Sequence, residues 1–255
     1  MAGHSKWANI KHRKGAQDAK RGKIFTKLIK EITVAVKTGG GGDPDMNPRL
    51  RLAIQNSRGQ NMSKDTIDRA IAKACGAGSE NYTEVTFEGY GPDGVAVFVE
   101  CATDNNTRTV SNVRSFFKKN NGSLGKDGCL QFIFDRKGIF EIKMTKEGLK
   151  GAILSIGDED EITLELIDCG AEDVEVEDDI MTVTTAMEDF GNVQKKLTEL
   201  DIEPMEAGLQ RVAITEKKIT EKSWPTFLRL IDSLEDDDDV QKVYHNVEFE
   251  EFMNE

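Results

Sequence analysis

Charge is segregated along this chain so strongly that no single mixed surface accounts for it. The first 73 residues hold 16 Lys/Arg against 6 Asp/Glu, and the remaining 182 hold 18 against 40. A net of +10 followed by a net of −22 gives the formal −12 of the 255-residue chain. The pattern calls for a basic head and an acidic body that pack separately. A cationic head of this kind is the electrostatic footprint of a protein that binds a phosphate backbone.

The length allows two or three domains, each able to bury its own core. With 38% hydrophobic and 31% charged residues the chain reads as soluble and globular. No apolar run approaches the roughly 18 residues of a membrane span, so no membrane partner is expected. The opening MAGHSKWANIKHRKG has no apolar segment and does not read as a secretory signal. Lysines outnumber arginines there, and Asp18 and Glu31 interrupt the stretch, against a transit peptide. The four cysteines, Cys75, Cys101, Cys129 and Cys169, are widely spaced, and only His4, His12 and His245 join them. Reduced thiols in a cytoplasmic protein are therefore expected, with no zinc site and no cofactor.

In the head, Phe25, Leu28, Ile29, Ile32 and Val36 repeat at helical spacing and define one apolar face. Lys20, Lys23, Lys27, Lys30 and Lys37 fall on the other side. The helix is expected to stop at Gly39–Gly42, a flexible break. A second helix opens with Asn47 as N-cap and Pro48 in the first turn, and ends near Gly59. A third opens at Ser63 and closes at Gly76. Upstream, Gly3–Gly15 carries too little apolar content to fold alone and is expected to be a mobile arm. The candidate nucleic-acid contacts are Lys6, Trp7, Lys11, His12, Arg13, Lys14, Lys20, Arg21, Lys23, Lys27 and Lys30. Lysine acts on phosphate as a point charge, so the head looks built for backbone contact rather than base reading. Trp7 either stacks on an unpaired base or packs the arm onto the bundle.

The body mixes strands and helices. Val85–Tyr90 and Val95–Cys101 flank the turn Gly91-Pro92-Asp93-Gly94. Val95–Val99 is continuously apolar, as for a strand buried on both faces. A helix through Val110–Phe117 and a strand at Leu130–Phe134 follow. After Lys137-Gly138 a second unit reads as strand at 140–144, helix at Gly148–Ile156, a hairpin through Val174/Val176 and Met181/Val183, helix at 190–200 and strand at Leu209–Ile214. That order, β-α-β-β-α-β, is ferredoxin-like. An amphipathic helix with Phe227, Leu228, Ile231 and Leu234 and a strand from Val240 to Val247 come last.

Several motifs fail on context. Gly89–Gly94 matches G-x-G-x-x-G but leads into a strand rather than a helix. The glycines at 39–42 lack the Lys-Ser/Thr of a phosphate loop. Asp236–Asp239 has no EF-hand spacing, and four carboxylates at a helix C-terminus oppose its dipole, so a solvated turn is expected. No nucleophilic triad can be assembled, and no enzymatic activity is expected.

The segments GHSKWANIKHRKGAQDAKRGKIFTKL, NPRLRLAIQNSRGQNMSKDTIDRAIAKACG and TFEGYGPDGVAVFVECATDNNTRTVSNVRSFFKKNNGSLG resemble the YebC family. The likeness continues in FDRKG and DVQKVYHN. It implies an α+β protein of three domains: an N-terminal helical bundle followed by two ferredoxin-like α/β sandwiches, one inserted in the other. The expected boundaries are 1–78, 79–137 with 216–255, and 138–215. Compared with the family, Ser63 replaces a common proline, and Gly59 stands where an alanine-like helix former is usual. Members are described as DNA-binding transcriptional regulators and, for some, as ribosome-associated translation factors.

Three functions follow: a DNA-binding regulator of transcription, a ribosome-bound factor on ribosomal RNA, or a protein-interaction scaffold using the acidic body. The transcription machinery or the ribosome is the expected partner of that body, and a monomer is expected. On the sequence alone, reversing Lys20, Lys23, Lys27 and Lys30 to Glu should abolish nucleic-acid binding. Circular dichroism should show unchanged helicity if all four face away from the apolar seam.

Overall fold

The computed structural model describes residues 17–144, 159–177 and 179–254. The expected arm at Gly3–Gly15 and the expected helix at Gly148–Ile156 lie outside them. The basic head is a three-helix bundle of α1 (Gln17–Thr38), α2 (Pro48–Gly59) and α3 (Lys64–Cys75). Its core is the apolar stripe read from the sequence, with Leu28, Ile32 and Val36 of α1 buried against Leu50, Ala53, Ile67 and Ala70. Asn47 and Ser63 cap α2 and α3, accepting from Leu50 N and Thr66 N. Asn47 does more than cap. Its Nδ2 donates to the carbonyls of Ala35 (2.9 Å) and Gly41 (2.8 Å), so the glycine segment expected to be a flexible break is pinned by a buried amide. Gly40 and Gly41 are needed there because both hold φ near +105° to +109°.

The middle unit is a four-stranded antiparallel sheet in the order β3-β1-β2-β8. Its strands are β1 (Thr83–Tyr90), β2 (Ala96–Thr103), β3 (Ser123–Leu124) and β8 (Val240–His245). Helices α4 (Asn106–Lys119) and α7 (Trp224–Glu235) cover one face. The apolar run at 95–99 is explained by both faces of β2. Val97 and Val99 meet Val113, Phe117, Phe227 and Ile231, while Ala96 and Phe98 meet Leu130, Phe134 and Tyr244. The β1–β2 connection is a tight turn at 92–94, with Asp93 and Gly94 at φ 57° and 76°. Burial pushes the Cys101 thiol up to about 12, in keeping with an inert core thiol.

Leu130–Phe134 is not a strand. Residues 127–133 form successive turns, and the next strand begins only at Phe134. The Glu88 carboxylate takes the amides of Gly128 (2.9 Å) and Leu130 (2.6 Å), giving this backbone partners that a strand would have found in a ladder. Leu130 looked strand-like because its side chain is fully buried under β2.

The inserted unit has ferredoxin-like order. It comprises β4 (Phe134–Lys143), α5 (Glu159–Asp168), β5 (Ala171–Glu177), β6 (Ile180–Ala186), α6 (Phe190–Glu199) and β7 (Glu206–Ala213). Its antiparallel sheet runs β5-β6-β4-β7. Lys137-Gly138, where a new unit was expected to begin, lies inside the unbroken β4. The two units share that strand: Phe134 packs edge-on to Phe98 at 6.2 Å, while Phe140 stacks on Phe190 at 4.6 Å.

The bundle also touches the inserted unit. The Asn56 side chain donates to Ala207 O and accepts from Ala207 N, both at 2.9 Å, completing the edge of β7. Beside it, a Cβ at Gly59 would collide with the Met205 carbonyl. Gly59 therefore reflects close approach rather than a frayed helix end. Gly59→Ala should lose about 1–3 kcal/mol from overpacking, outweighing a gain of up to about 1 kcal/mol in helix propensity. Urea unfolding should show a lower midpoint with an unchanged slope.

Candidate nucleic-acid interface

Lys23, Lys27 and Lys30 lie one above another on α1, at spacings of four and three. They lie off the apolar seam, and the side they occupy packs on another unit, with Lys30 buried and Lys23 at the exposed rim. All three meet the end of α7 and the acidic run that follows it. Lys23 Nζ pairs with Asp236 Oδ1 at 2.6 Å, and Lys27 Nζ donates to Glu235 O at 2.9 Å. Lys30 Nζ donates to Ala102 O (3.1 Å), Asp238 O (2.7 Å) and Asp239 Oδ1 (2.9 Å), and lies 4.9 Å from the centre of the Tyr82 ring. Lys30 is only 8% exposed. A helix C-terminus offers unsatisfied carbonyls and negative dipole, which cations satisfy. The acidic run is the turn the sequence suggested, with Asp236 and Asp238 exposed, but Asp239 is buried and lysines from another unit reverse the local balance of charge.

Asp239 is the centre of this contact. One carboxylate oxygen meets Lys30, and the other accepts from Arg108 Nη2 (2.6 Å), Arg108 Nε (3.2 Å) and Thr109 Oγ1 (2.9 Å). Its backbone oxygen accepts from Ala102 N, and its amide donates to Asp237 Oδ1. Asp237 in turn accepts from Asn112 Nδ2 at 3.0 Å. Burial raises the Asp239 pKa, but the hydrogen bonds from Arg108, Lys30 and Thr109 outweigh it and hold the carboxyl below its ordinary range. On α1, next to Lys30, burial lifts the Glu31 carboxyl, with Lys242 opposing and Glu206 reinforcing the shift.

Of the other sequence-derived contacts, Lys20 and Arg21 lie on the first turns of α1, upstream of this row. Lys6, Trp7, Lys11, His12, Arg13 and Lys14 lie outside the described residues. Sequence reasoning missed Arg108, Thr109 and Asp239, which fix Lys30. The one available signal was the acidic run itself, which local rules place in solvent. The pair α2–α3 is joined by a four-residue connection, 60–63, but exposed Lys64, Asp65, Asp68, Arg69 and Lys73 give α3 mixed charge. Arg69 is moreover paired with Asp65 at 2.9 Å. No His/Cys/Asp/Glu group able to hold a metal occurs among the described residues, and none of their helices is long and apolar enough to cross a membrane.

A lysine-faced helical bundle docked on two antiparallel α/β units, one inserted in the other, defines the class of protein. The chain belongs to the TACO1/YebC family: residues 5–77 match its N-terminal domain and residues 82–247 its second and third domains. A "Probable transcriptional regulatory protein" of Amoebophilus asiaticus is 51% identical over 249 residues, 97% of this chain and 98% of the relative. One of Hathewaya histolytica with the same description is 47% identical over 252 residues, covering 98% of each. The crystal structure of a conserved hypothetical protein from Aquifex aeolicus has a TM-score of 0.78 at 38% identity, covering 92% of this chain and 93% of that one.

Asp239→Asn should cost about 3–5 kcal/mol by leaving Lys30 and Arg108 facing a neutral group in a buried site. A lowered carboxylate pKa contributes stability in full above the ordinary value, lost as pH falls through the folded value. The Tm of the wild type should therefore drop more steeply than that of Asp239→Asn below about pH 4. Thermal unfolding followed by circular dichroism from neutral to acid pH measures both effects.

Proposed function

We propose that this protein is a non-enzymatic regulator of gene expression that binds nucleic acid through its lysine-rich N-terminal unit, acting as a DNA-binding transcriptional regulator. The observation that carries this reading is the segregation of charge, +10 over the first 73 residues against −22 over the rest. A cation row on α1 that already donates to carboxylate and carbonyl oxygens in the folded chain is suited to phosphate oxygens. The names of the relatives support the regulatory half of the reading. Lys6, Trp7, Lys11, His12, Arg13, Lys14, Lys20, Arg21, Lys23 and Lys27 are the contacts assigned to nucleic acid. Lys30 is withdrawn from that set, because its ammonium is buried against Asp239.

A second reading, a translation factor on ribosomal RNA, is favoured by α3. Placed in a major groove, it would bring Asp65 and Asp68 toward the phosphate backbone. Backbone and shape contact without base reading is the common mode for structured RNA. Binding to duplex DNA and to a ribosomal RNA fragment should both weaken about 10³-fold between 50 and 200 mM salt if some six phosphates are engaged. A flat salt response overturns both readings. Sedimentation of a low-salt lysate separates them: co-migration with ribosomal particles selects RNA, and recovery at the top of the gradient with retention on DNA selects transcription.

A further inference from the structure

The lysine row is not held uniformly, and its gradient decides what each residue is available for. At the outer end the Lys23 and Asp236 side chains are 41% and 70% exposed, and at the inner end those of Lys30 and Asp239 are 9% and 5% exposed. An exposed ion pair contributes little net stability, so another anion displaces it at small cost. A buried pair that loses one partner leaves a stranded charge, so Lys30 stays where it is. Lys27 sits between them along the helix, donating to the Glu235 carbonyl.

We infer that Asp236–Asp238 is an intramolecular competitor for the phosphate site on α1. The inference rests on the reading of the N-terminal unit as a nucleic-acid binder and adds a regulatory element to it. In the free protein Asp236 neutralises Lys23, the Glu235 carbonyl accepts from Lys27, and the exposed Asp238 adds negative charge in the same turn. When nucleic acid arrives, Lys23 and Lys27 exchange these oxygens for phosphate oxygens, while Lys30, Asp239, Arg108 and Thr109 hold the units together. Lysine suits the exchange, because an ammonium on a flexible stem donates to either anion without a fixed bidentate geometry. The competing charge lets a densely charged backbone bind while isolated anions are turned away.

Anisotropy titrations of the full chain with fluorescein-labelled duplex DNA and a labelled RNA hairpin, between about 50 and 200 mM KCl, test this directly. Asp236→Asn with Asp238→Asn removes two exposed carboxylates beside the row. Glu161→Gln with Glu188→Gln removes two exposed carboxylates from the inserted unit as a charge-matched control. The first variant should bind about 3–10-fold more tightly than wild type at the lowest salt, and the control should change less than about twofold. Equal effects in the two variants, or no effect in either, overturn the competition. Lys23→Gln with Lys27→Gln should weaken binding, and wild-type affinity in that variant overturns the assignment of the row while leaving the protein a nucleic-acid binder. Failure of every variant and of the wild type to bind either probe overturns the underlying reading instead.

Discussion

Burying the Asp239 carboxylate obliges two separate elements to converge on it. Lys30 comes from α1 and Arg108 and Thr109 from the first turn of α4, while Ala102 at the end of β2 donates to the Asp239 backbone carbonyl. A carboxylate in a low-dielectric site is tolerated only when cations and hydrogen-bond donors surround it. Once they do, the seat of α1 on the middle unit is set. Val34 and Thr33, which lie off the bundle seam, are buried as well. The basic head and acidic body are thus complementary surfaces of one molecule, and the segregation of charge serves assembly as well as partner binding.

Features governed by neighbours in sequence were legible. The stripe Phe25, Leu28, Ile29, Ile32 and Val36 is the bundle seam, Asn47 and Ser63 are caps, and the turn at 91–94 joins two paired strands. Each depends on spacing or dihedral preference within a few residues. The hairpin, the second helix and the last strand of the inserted unit were legible for the same reason, whereas its first described helix, α5, was not read from the sequence.

Features governed by distant partners were not. Lys30 and Asp239 are 209 positions apart, and nothing in the helical wheel distinguishes Lys30 from Lys23. Gly59 looked like a weak helix end, and only the Met205 carbonyl from the inserted unit explains it. Leu130 has the composition of a strand residue, yet Glu88 supplies hydrogen bonds that allow a turn. In each case a group from elsewhere in the chain overrides the local preference, and a single sequence carries no trace of that pairing.

The three units touch pairwise. The bundle meets the middle unit at the lysine row and the inserted unit at the Asn56 clamp on Ala207, and β4 runs from the middle unit into the inserted one. Three bodies joined at three places form a closed triangle, and a triangle is rigid unless one of its sides breaks. A chain of three domains joined end to end would bend at either linker. Here, moving the bundle away from its seat loads the clamp on β7 and, through it, the shared strand. Lys23 and Asp236 lie at the exposed rim of one joint, where their pair can open without loosening any of the three.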